Sequence, residues 1–274
     1  MRPVPARIHM ERLTKRRRGR DRSFLLTVDR FTLAPGDRIV LSGPHGSGKS
    51  TLLELIGLAL MPDGSDAFRL EEAAGEDGRR PEVAVDLQAL WRRGRHDELA
   101  RLRARYIGYL PQTGALLPFL TVRENVALVQ RLSGRGDRAW LEELRGRLDL
   151  APLWAELPRQ LSVGQRQRVA VARALAHRPG LVLADEPTAA LDPAGADGVI
   201  RLLLALVQEI GCGLLLVSHE AGLAARLGLE ELRFASTADQ GDLWHSRIAR
   251  PAPPPATVAA APAATAATGG APAC

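Results

Sequence analysis

The amino-acid sequence predicts an α/β fold built around a mainly parallel β-sheet. Short apolar runs such as "RIVLS" (38–42), "LVLA" (181–184) and "GLLLVS" (213–218) alternate with segments of helical periodicity. Continuous apolar runs of this length are typical of parallel strands covered on both faces, and their alternation with helices indicates strand–helix–strand units. The glycine-rich "GPHGSGKST" (43–51), between the first of these strands and a helical pattern, is the third observation.

The other elements follow in chain order. The helix "KSTLLELIGLAL" (49–60) comes after the glycine loop, and polar, Gly-rich residues 66–90 are expected to form an antiparallel flap. Residues 113–160 carry leucines at helical spacing, with breaks at Pro118, Gly134, Gly136 and Pro152, which predicts a helical lobe within the domain. Two further helices are expected at 165–178 and 195–210.

One folded domain is predicted for residues 1–250. The rest (251–274) is rich in alanine and proline and free of charge, which predicts a disordered tail. We expect no membrane span and no secretory signal, because no apolar run is long enough. Cys212 and Cys274 are too few for a disulfide framework, which favours a reducing compartment.

Charge does not by itself indicate a nucleic-acid partner. The net charge is +6 and the isoelectric point about 10.2, but arginine supplies almost all of the positive charge and acidic residues are interspersed. The exception is "KRRRGRDR" (15–22), a basic cluster suited to the phosphates of a nucleotide, a nucleic acid or a membrane surface.

The glycine loop has the spacing of a phosphate-binding loop, in the strand–loop–helix context that such a loop requires. Glycines let the backbone N–H groups converge on phosphate oxygens, and the following helix points its positive end at them. We expect Lys49 to reach the β- and γ-phosphates and Ser50 to offer its hydroxyl to Mg²⁺. The alternative is a glycine-rich turn without a ligand. The nucleotide-binding residues expected here are Gly43, Pro44, His45, Gly46, Ser47, Gly48, Lys49, Ser50 and Thr51.

Acidic and polar residues stand at the ends of the neighbouring predicted strands. Asp185 is expected to hold Mg²⁺ and Glu186 to orient or deprotonate the attacking water, since adjacent side chains diverge. His219 ends the last apolar run, at the sheet edge where α/β proteins bind ligands. Gln112 ends "IGYLPQ" and is either structural or a sensor of metal or water.

Six short motifs, taken in their order along the chain, resemble those of the ATP-binding cassette (ABC) transporter ATPases, and the resemblance covers nearly the whole of residues 8–225. These motifs are GPHGSGKS, YLPQ, LSVGQ (161–165), LVLADEP, AALD (189–192) and VSHE. The stretch "LRARYIGYLPQTGALLPFLTVRENVAL" is most similar to the lipoprotein-release and macrolide-export branch. The resemblance implies a P-loop NTPase fold of ABC type, with an antiparallel β flap and an inserted helical subdomain.

The resemblance also implies a head-to-tail homodimer that holds ATP and Mg²⁺ between the P-loop of one subunit and LSVGQ of the other. Ser162, Val163, Gly164 and Gln165 then belong to the nucleotide site, at the free N–H groups of a helix start. Asp192 stands in the segment similar to the family's D-loop. The implied partner is a membrane permease on a separate chain, which would make the protein cytoplasmic and peripheral on the inner face of the cell membrane.

The sequence departs from the family pattern in three places. Val163 replaces the first signature glycine, and Ala189 and Ala190 leave the D-loop-like segment without a polar side chain. The adenine-stacking aromatic is absent from "TKRRRGRDRS" (14–23), where Arg17 aligns best and a guanidinium can stack on a π-face. We expect Val163 to point away from the phosphates and Gly164 to tolerate no side chain.

The sequence therefore predicts an ATP-hydrolysing transporter subunit, with Glu186, His219 and Gln112 as catalytic residues and Ser50, Gln112 and Asp185 as metal ligands. Two alternatives stay open at this point. One is a cassette ATPase acting on DNA or ribosomes, and the other is a regulatory ATP-binding subunit with weak hydrolysis.

Overall fold

A computed structural model describes residues 4–18, 23–72, 84–238 and 243–250. The expected disordered tail (251–274) and part of the basic cluster (19–22) lie outside the described residues. The strands are β1 (Ala6–Arg18), β2 (Ser23–Leu33), β3 (Arg38–Ser42), β4 (Ala67–Glu72), β5 (Ala84–Asp86), β6 (Ile107–Leu110), β7 (Leu181–Asp185), β8 (Gly213–Val217), β9 (Glu230–Arg233), β10 (Ala235–Ala238) and β11 (Leu243–Ile248). The helices are α1 (Lys49–Ile56), α2 (Leu87–Arg92), α3 (His96–Tyr106), α4 (Val122–Ser133), α5 (Arg138–Arg147), α6 (Val163–Leu175), α7 (Pro193–Ile210) and α8 (Leu223–Leu227).

The predicted parallel sheet is confirmed. It has five strands in the order β6–β7–β8–β3–β9, and every neighbouring pair is parallel. Its side chains alternate between two hydrophobic cores: Leu214 and Leu216 of β8 pack into one core, and Leu215 and Val217 into the other. Burial on both faces explains why these strands are continuous apolar runs.

A second, mainly antiparallel sheet packs beside the first, in the order β10–β11–β2–β1–β4–β5. Among the described residues of the expected flap at 66–90, β4 and β5 are the strands, and the hydrogen bond that Asp86 accepts from the Ala89 N–H starts α2. The centre of the sheet is the long β1–β2 hairpin, and β11 pairs parallel to β2. The flap therefore draws on three distant parts of the chain.

Helices occupy the region expected for the helical lobe. Thr121 and Glu124 form a capping box that starts α4, and Gly134 ends this helix in the left-handed conformation, with φ 67°. Trp140 of α5 is buried and its indole N–H donates to the Leu175 carbonyl at 3.0 Å, which ties the lobe to α6. Within the described ranges, no helix combines the length and apolarity that crossing a membrane requires.

Helix α1 is shorter than predicted. The apolar pattern suggested a helix to residue 60, but α1 ends at Ile56. Gly57 follows, and Leu58 adopts a left-handed backbone with φ 53°, which cannot continue an α-helix. The helix still carries Lys49 and Ser50 in its first turn, so the geometry of the glycine loop is unaffected.

Candidate nucleotide site

The glycine loop joins β3 to α1 and closes on its own lysine. Gly43, Gly46 and Gly48 have φ values of 151°, 75° and 94°, in the region that glycine populates most readily. The Lys49 Nζ donates to the carbonyls of Gly43 and Pro44, both at 2.8 Å. Lys49 is only 5% exposed, and burial lowers its pKa while the charges of Glu186 and Asp185 raise it. A buried cation beside two acids, inside a turn of free N–H groups, is suited to binding an anion.

The remaining residues of the loop are arranged around this cation. Ser47 is buried and, within the described residues, its Oγ has no hydrogen-bond partner. Thr51 is buried under the first turn of α1. A buried hydroxyl without a partner is costly unless a ligand or a water satisfies it. The loop therefore fits the phosphates expected from the sequence.

A cleft of about 450 Å³ opens over the loop, and its lining includes Arg17, Phe24, His45, Lys49, Glu186 and His219. The P-loop therefore lies next to Glu186, which directly follows β7, and to His219, which follows β8. The parallel order of the sheet causes this, because the carboxyl ends of parallel strands meet at one edge.

Phe24 was not among the predicted site residues. Its ring packs on Gly48, where an added Cβ would lie 2.4 Å from the Phe24 Cζ. Phe24 pairs with Arg17 across the antiparallel β1–β2 hairpin, so both side chains lie on the same face. Its position in β2, opposite Arg17, brings the ring of Phe24 to the cleft. The signal that could have identified Phe24 is the register of the β1–β2 hairpin, which places it opposite Arg17.

Arg17 lies at the edge of the cleft and its guanidinium pairs with Glu54 of α1. Lys15 pairs with Asp63 at 2.7 Å. These two residues of the basic cluster are therefore partly neutralised within the chain, which weakens the case for a nucleic-acid surface at this position.

Asp185 and Glu186 diverge as the sequence predicted. Burial raises the pKa of the Asp185 carboxyl, as does the charge of Glu186, while the hydroxyl of Ser50 and the charge of Lys49 lower it. Glu186 adopts a left-handed backbone with φ 45°, an unusual conformation for a side-chain-bearing residue. Its carboxylate lies 2.5 Å from the His219 Nε2, and the Gln112 Nε2 approaches its other oxygen at 3.5 Å. Asp185 therefore interacts with Ser50 and Lys49 on the P-loop side. Glu186 contacts Gln112, which follows β6, and His219, which follows β8.

The donor set on the P-loop side fits a magnesium ion. Mg²⁺ prefers oxygen ligands and is commonly held by one or two carboxylates together with substrate phosphates. The Ser50 hydroxyl and the Asp185 carboxylate supply such oxygens. Within the described residues there is no group of three or more His, Cys, Asp or Glu side chains suited to a metal ion.

The ring of His45, in the P-loop, stacks on the ring of His219. The ring centroids are 4.0 Å apart and the planes differ by 3°. The sequence placed both residues in the site, but not in contact with each other.

The signature LSVGQ lies at the start of α6. Ser162 caps the helix: its Oγ accepts from the Gln165 N–H at 3.3 Å, and the Gln165 Oε1 accepts from the Ser162 N–H at 2.8 Å. Val163 is 42% exposed. Among the residues described, no member of the signature lines the cleft over the P-loop.

Gly164 has open space around it within its own chain. An added Cβ would meet only Leu191, at 3.8 Å, which is ordinary van der Waals contact. The fold of the single chain therefore gives no reason for a glycine at this position.

Asp192 is exposed and caps α7. Its Oδ1 accepts from the Gly195 N–H at 2.7 Å, and Pro193 occupies the first helical position. The structure thus gives Asp192 a local structural role. It does not bring Asp192 to the lining of the P-loop cleft among the residues described.

Comparisons with known proteins agree with this geometry. The family model described as ABC transporter matches residues 26–189. The chain is 38% identical over 214 residues to the lipoprotein-releasing system ATP-binding protein LolD of Paramagnetospirillum magneticum, covering 77% of this chain and 87% of that protein. It is 43% identical over 199 residues to LolD of Novosphingobium aromaticivorans, covering 71% and 81%.

Solved structures give the same result. The dimeric structure of a post-hydrolysis state of the ATP-binding cassette MJ0796, bound to ADP and Pi, matches with a TM-score of 0.67 and 30% identity. The match covers 82% of this chain and 93% of that chain. The resemblance and the fold class inferred from the sequence are confirmed, and the chain belongs to the ABC transporter family as an ATP-binding ATPase.

Proposed function

We propose that this chain hydrolyses Mg²⁺-ATP as one half of a head-to-tail dimer and thereby drives a separate membrane permease. The observation that carries the proposal is the meeting of Lys49, Glu186 and His219 in one cleft. Lys49 and the loop N–H groups bind the β- and γ-phosphates. Ser50, Asp185 and Gln112 would hold a magnesium ion, which would neutralise charge on the phosphates.

Glu186 takes the role of general base. Its carboxylate stands at the edge of the cleft beside His219 and Gln112, where a water in line with the γ-phosphate would be oriented. His219 contacts the terminal phosphate, and Gln112 links the metal or the water to the start of the helical lobe. Asp192 belongs to the segment that meets the opposite subunit.

The dimer follows from the location of the signature. The N-terminus of α6 offers free N–H groups and the Ser162 hydroxyl, but it lies outside its own chain's cleft. A second subunit in inverted orientation brings this helix start onto the γ-phosphate, so one ATP is held by two chains. Gly164, for which the single chain has no steric need, then provides the close approach to the nucleotide. MJ0796 is likewise described as a dimer.

The adenine is held by Phe24 together with Arg17. The family's usual aromatic position carries Arg17, but its neighbour across the hairpin is an aromatic residue on the same face of the sheet. A phenyl ring supplies the π-face on which a base stacks, and the guanidinium adds a cation.

The permease contacts a groove between the α3–β6 segment and α4. This groove has a volume of about 560 Å³ and is lined mainly by apolar side chains, including Ile107, Tyr109, Leu128 and Leu132. Leu132 is 65% exposed and, together with the other apolar side chains of the groove, forms a contiguous apolar surface of the kind that marks interaction sites. A short amphipathic helix of the permease fits such a groove. The same contact gives the chain its place as a peripheral protein on the cytoplasmic face of the membrane.

Lipoprotein or lipid release is the transport process that the relatives favour, since LolD proteins are named for a lipoprotein-releasing system. We extend that substrate class to this chain on the strength of the sequence identity. The comparisons do not favour the alternative of a DNA- or ribosome-acting cassette.

The substitution Glu186→Gln tests the mechanism. It keeps the shape of the side chain but removes the base, so steady-state ATP hydrolysis is expected to fall by roughly 10²-fold or more while ATP still binds. ATP-bound dimers then accumulate and are measured by size-exclusion chromatography. Glu142→Gln, on the exposed face of α5, is the matched control and is expected to turn over normally. Unchanged turnover in Glu186→Gln would show that another group is the base.

The substitution Leu132→Asp tests the permease contact. Co-purification with the co-expressed membrane permease is expected to be lost in this variant. Met61→Asp, which changes an exposed apolar residue outside the groove, is the control and is expected to co-purify. Equal co-purification of both variants would place the permease elsewhere on the surface.

A further inference from the structure

We propose that His45 is a positioning residue for His219: the stack between the two rings fixes the plane in which His219 serves the Glu186 carboxylate and the terminal phosphate. The inference rests on the proposed function and assigns a specific task to a P-loop side chain beyond the phosphate contacts of the loop backbone.

Geometry carries the inference. The rings of His45 and His219 are 4.0 Å apart at their centroids and parallel to within 3°. The Nε2 of His219 lies 2.5 Å from the Glu186 Oε1. One such contact fixes a single ring atom and leaves the ring free to rotate about that direction. The stack adds the second constraint, because a parallel neighbour defines the plane of the ring.

Hydrogen bonds within the P-loop fix the backbone next to His45. The carbonyl of Pro44, next to His45 in the chain, accepts from the Lys49 Nζ at 2.8 Å and from the Ser47 N–H at 3.3 Å. His219 lies in the segment after β8, outside any helix or strand. Its imidazole is therefore held by a ring from a loop that internal hydrogen bonds fix.

A stack also permits the movement that the reaction needs. His45, His219, Lys49 and Glu186 line the same cleft, so the His219 ring borders both the general base and the place of the terminal phosphate. Offset-stacked rings are favourable over a range of displacements within the plane. The His219 Nε2 can shift between Glu186 and the phosphate while its ring plane is maintained by His45.

The test compares His45→Ser with His45→Phe in the full-length chain. Serine removes the ring, and phenylalanine keeps a ring without imidazole nitrogens. Since aromatic pairs contribute modestly to stability, kcat of His45→Ser is expected to be about 2- to 10-fold lower, with KM for ATP within about twofold of the wild-type value. His45→Phe is expected to recover most of the lost turnover. His96→Ser, which removes a histidine that contacts only Trp91 among the aromatic rings described, is the matched control.

NMR of the imidazole ring protons provides a readout that does not depend on activity. The His219 resonance, assigned with His219→Gln, is expected to lose its ring-current shift in His45→Ser and to retain it in His45→Phe, while the His96 resonance stays in place. Equal kcat in His45→Ser and wild type, or a His45→Phe variant as slow as His45→Ser, would overturn the positioning role. A wild-type chain without ATPase activity would instead count against the proposed function, and the NMR shifts would still test the stack.

Discussion

A substitution at Gly164 distinguishes what the fold of the single chain requires from what nucleotide hydrolysis requires. The Gly164 backbone is not in the left-handed region and a Cβ would meet only Leu191 at 3.8 Å, so alanine fits the chain without strain. Gly→Ala at a compatible position stabilises a protein by roughly 0.4–1 kcal/mol, mainly through the unfolded state. We expect Gly164→Ala to raise the melting temperature without nucleotide by about 1–4 °C.

The same substitution is expected to abolish most ATP hydrolysis. In the proposed dimer the signature N–H groups approach the γ-phosphate of the opposite subunit, and a methyl group at residue 164 would hold them away. Loss of one preorganised donor typically costs about 10²- to 10³-fold in rate, so we expect turnover to fall by at least about 10²-fold. The assays are thermal unfolding and steady-state ATPase activity on the same preparations.

Gly146→Ala is the matched control, because Gly146 also lies in a helix and an added Cβ there would have no atom within 4 Å. It is expected to stabilise the chain to a similar degree and to leave hydrolysis unchanged. Wild-type turnover in Gly164→Ala would refute the close approach of Gly164 to a nucleotide. A loss of stability in that variant would show that its own fold requires the glycine.

Three further predictions concern other parts of the chain. Phe24→Ala is expected to raise KM for ATP by about 10-fold with little change in kcat, since base stacking contributes roughly 1–3 kcal/mol; an unchanged KM would remove Phe24 from the adenine site, and Phe24→Tyr is the conservative control. Val163→Gly is expected to keep turnover within about 10-fold of wild type, because we expect the Val163 side chain to point away from the phosphates; an increase by orders of magnitude would contradict that. Burial, reinforced by the charge of Arg135, lowers the pKa of His177 to about 4. The unfolded chain, with a histidine pKa near 6.5, therefore takes up this proton first as the pH falls, and stability is lost from about pH 6.5 towards pH 4. His177→Leu is expected to lose about 2 kcal/mol less unfolding free energy than wild type between about pH 7.5 and pH 5, measured by urea denaturation; an equal loss would contradict the assignment.

The groups proposed to bind phosphate and metal were recognisable in short stretches of sequence. Lys49 and Ser50 stand at fixed spacing from the loop glycines, and Asp185 directly follows a buried strand. Such features need only local chemistry: backbone freedom at glycine, a helix start and a strand end. The cap that Ser162 makes with Gln165 at the start of α6 was predictable for the same reason.

The residues proposed to surround the adenine ring were not predictable in this way. Phe24 reaches the cleft through its register with Arg17, and that register depends on how a long hairpin aligns. The same limit applies to the flap, whose strands come from both ends of the described chain and from its middle. Pairing between segments far apart in sequence leaves little trace in the composition of either segment.

The sequence by itself determined the family, the parallel sheet and the phosphate loop, because each depends on periodicity or spacing within a few residues. Only the tertiary structure decided which distant side chains meet: Phe24 on Gly48, His45 on His219, and His219 on Glu186. It also separated the signature helix from its own cleft. The physical reason is that contacts between remote segments are set by the packing of whole sheets and helices, which no local pattern of residues encodes.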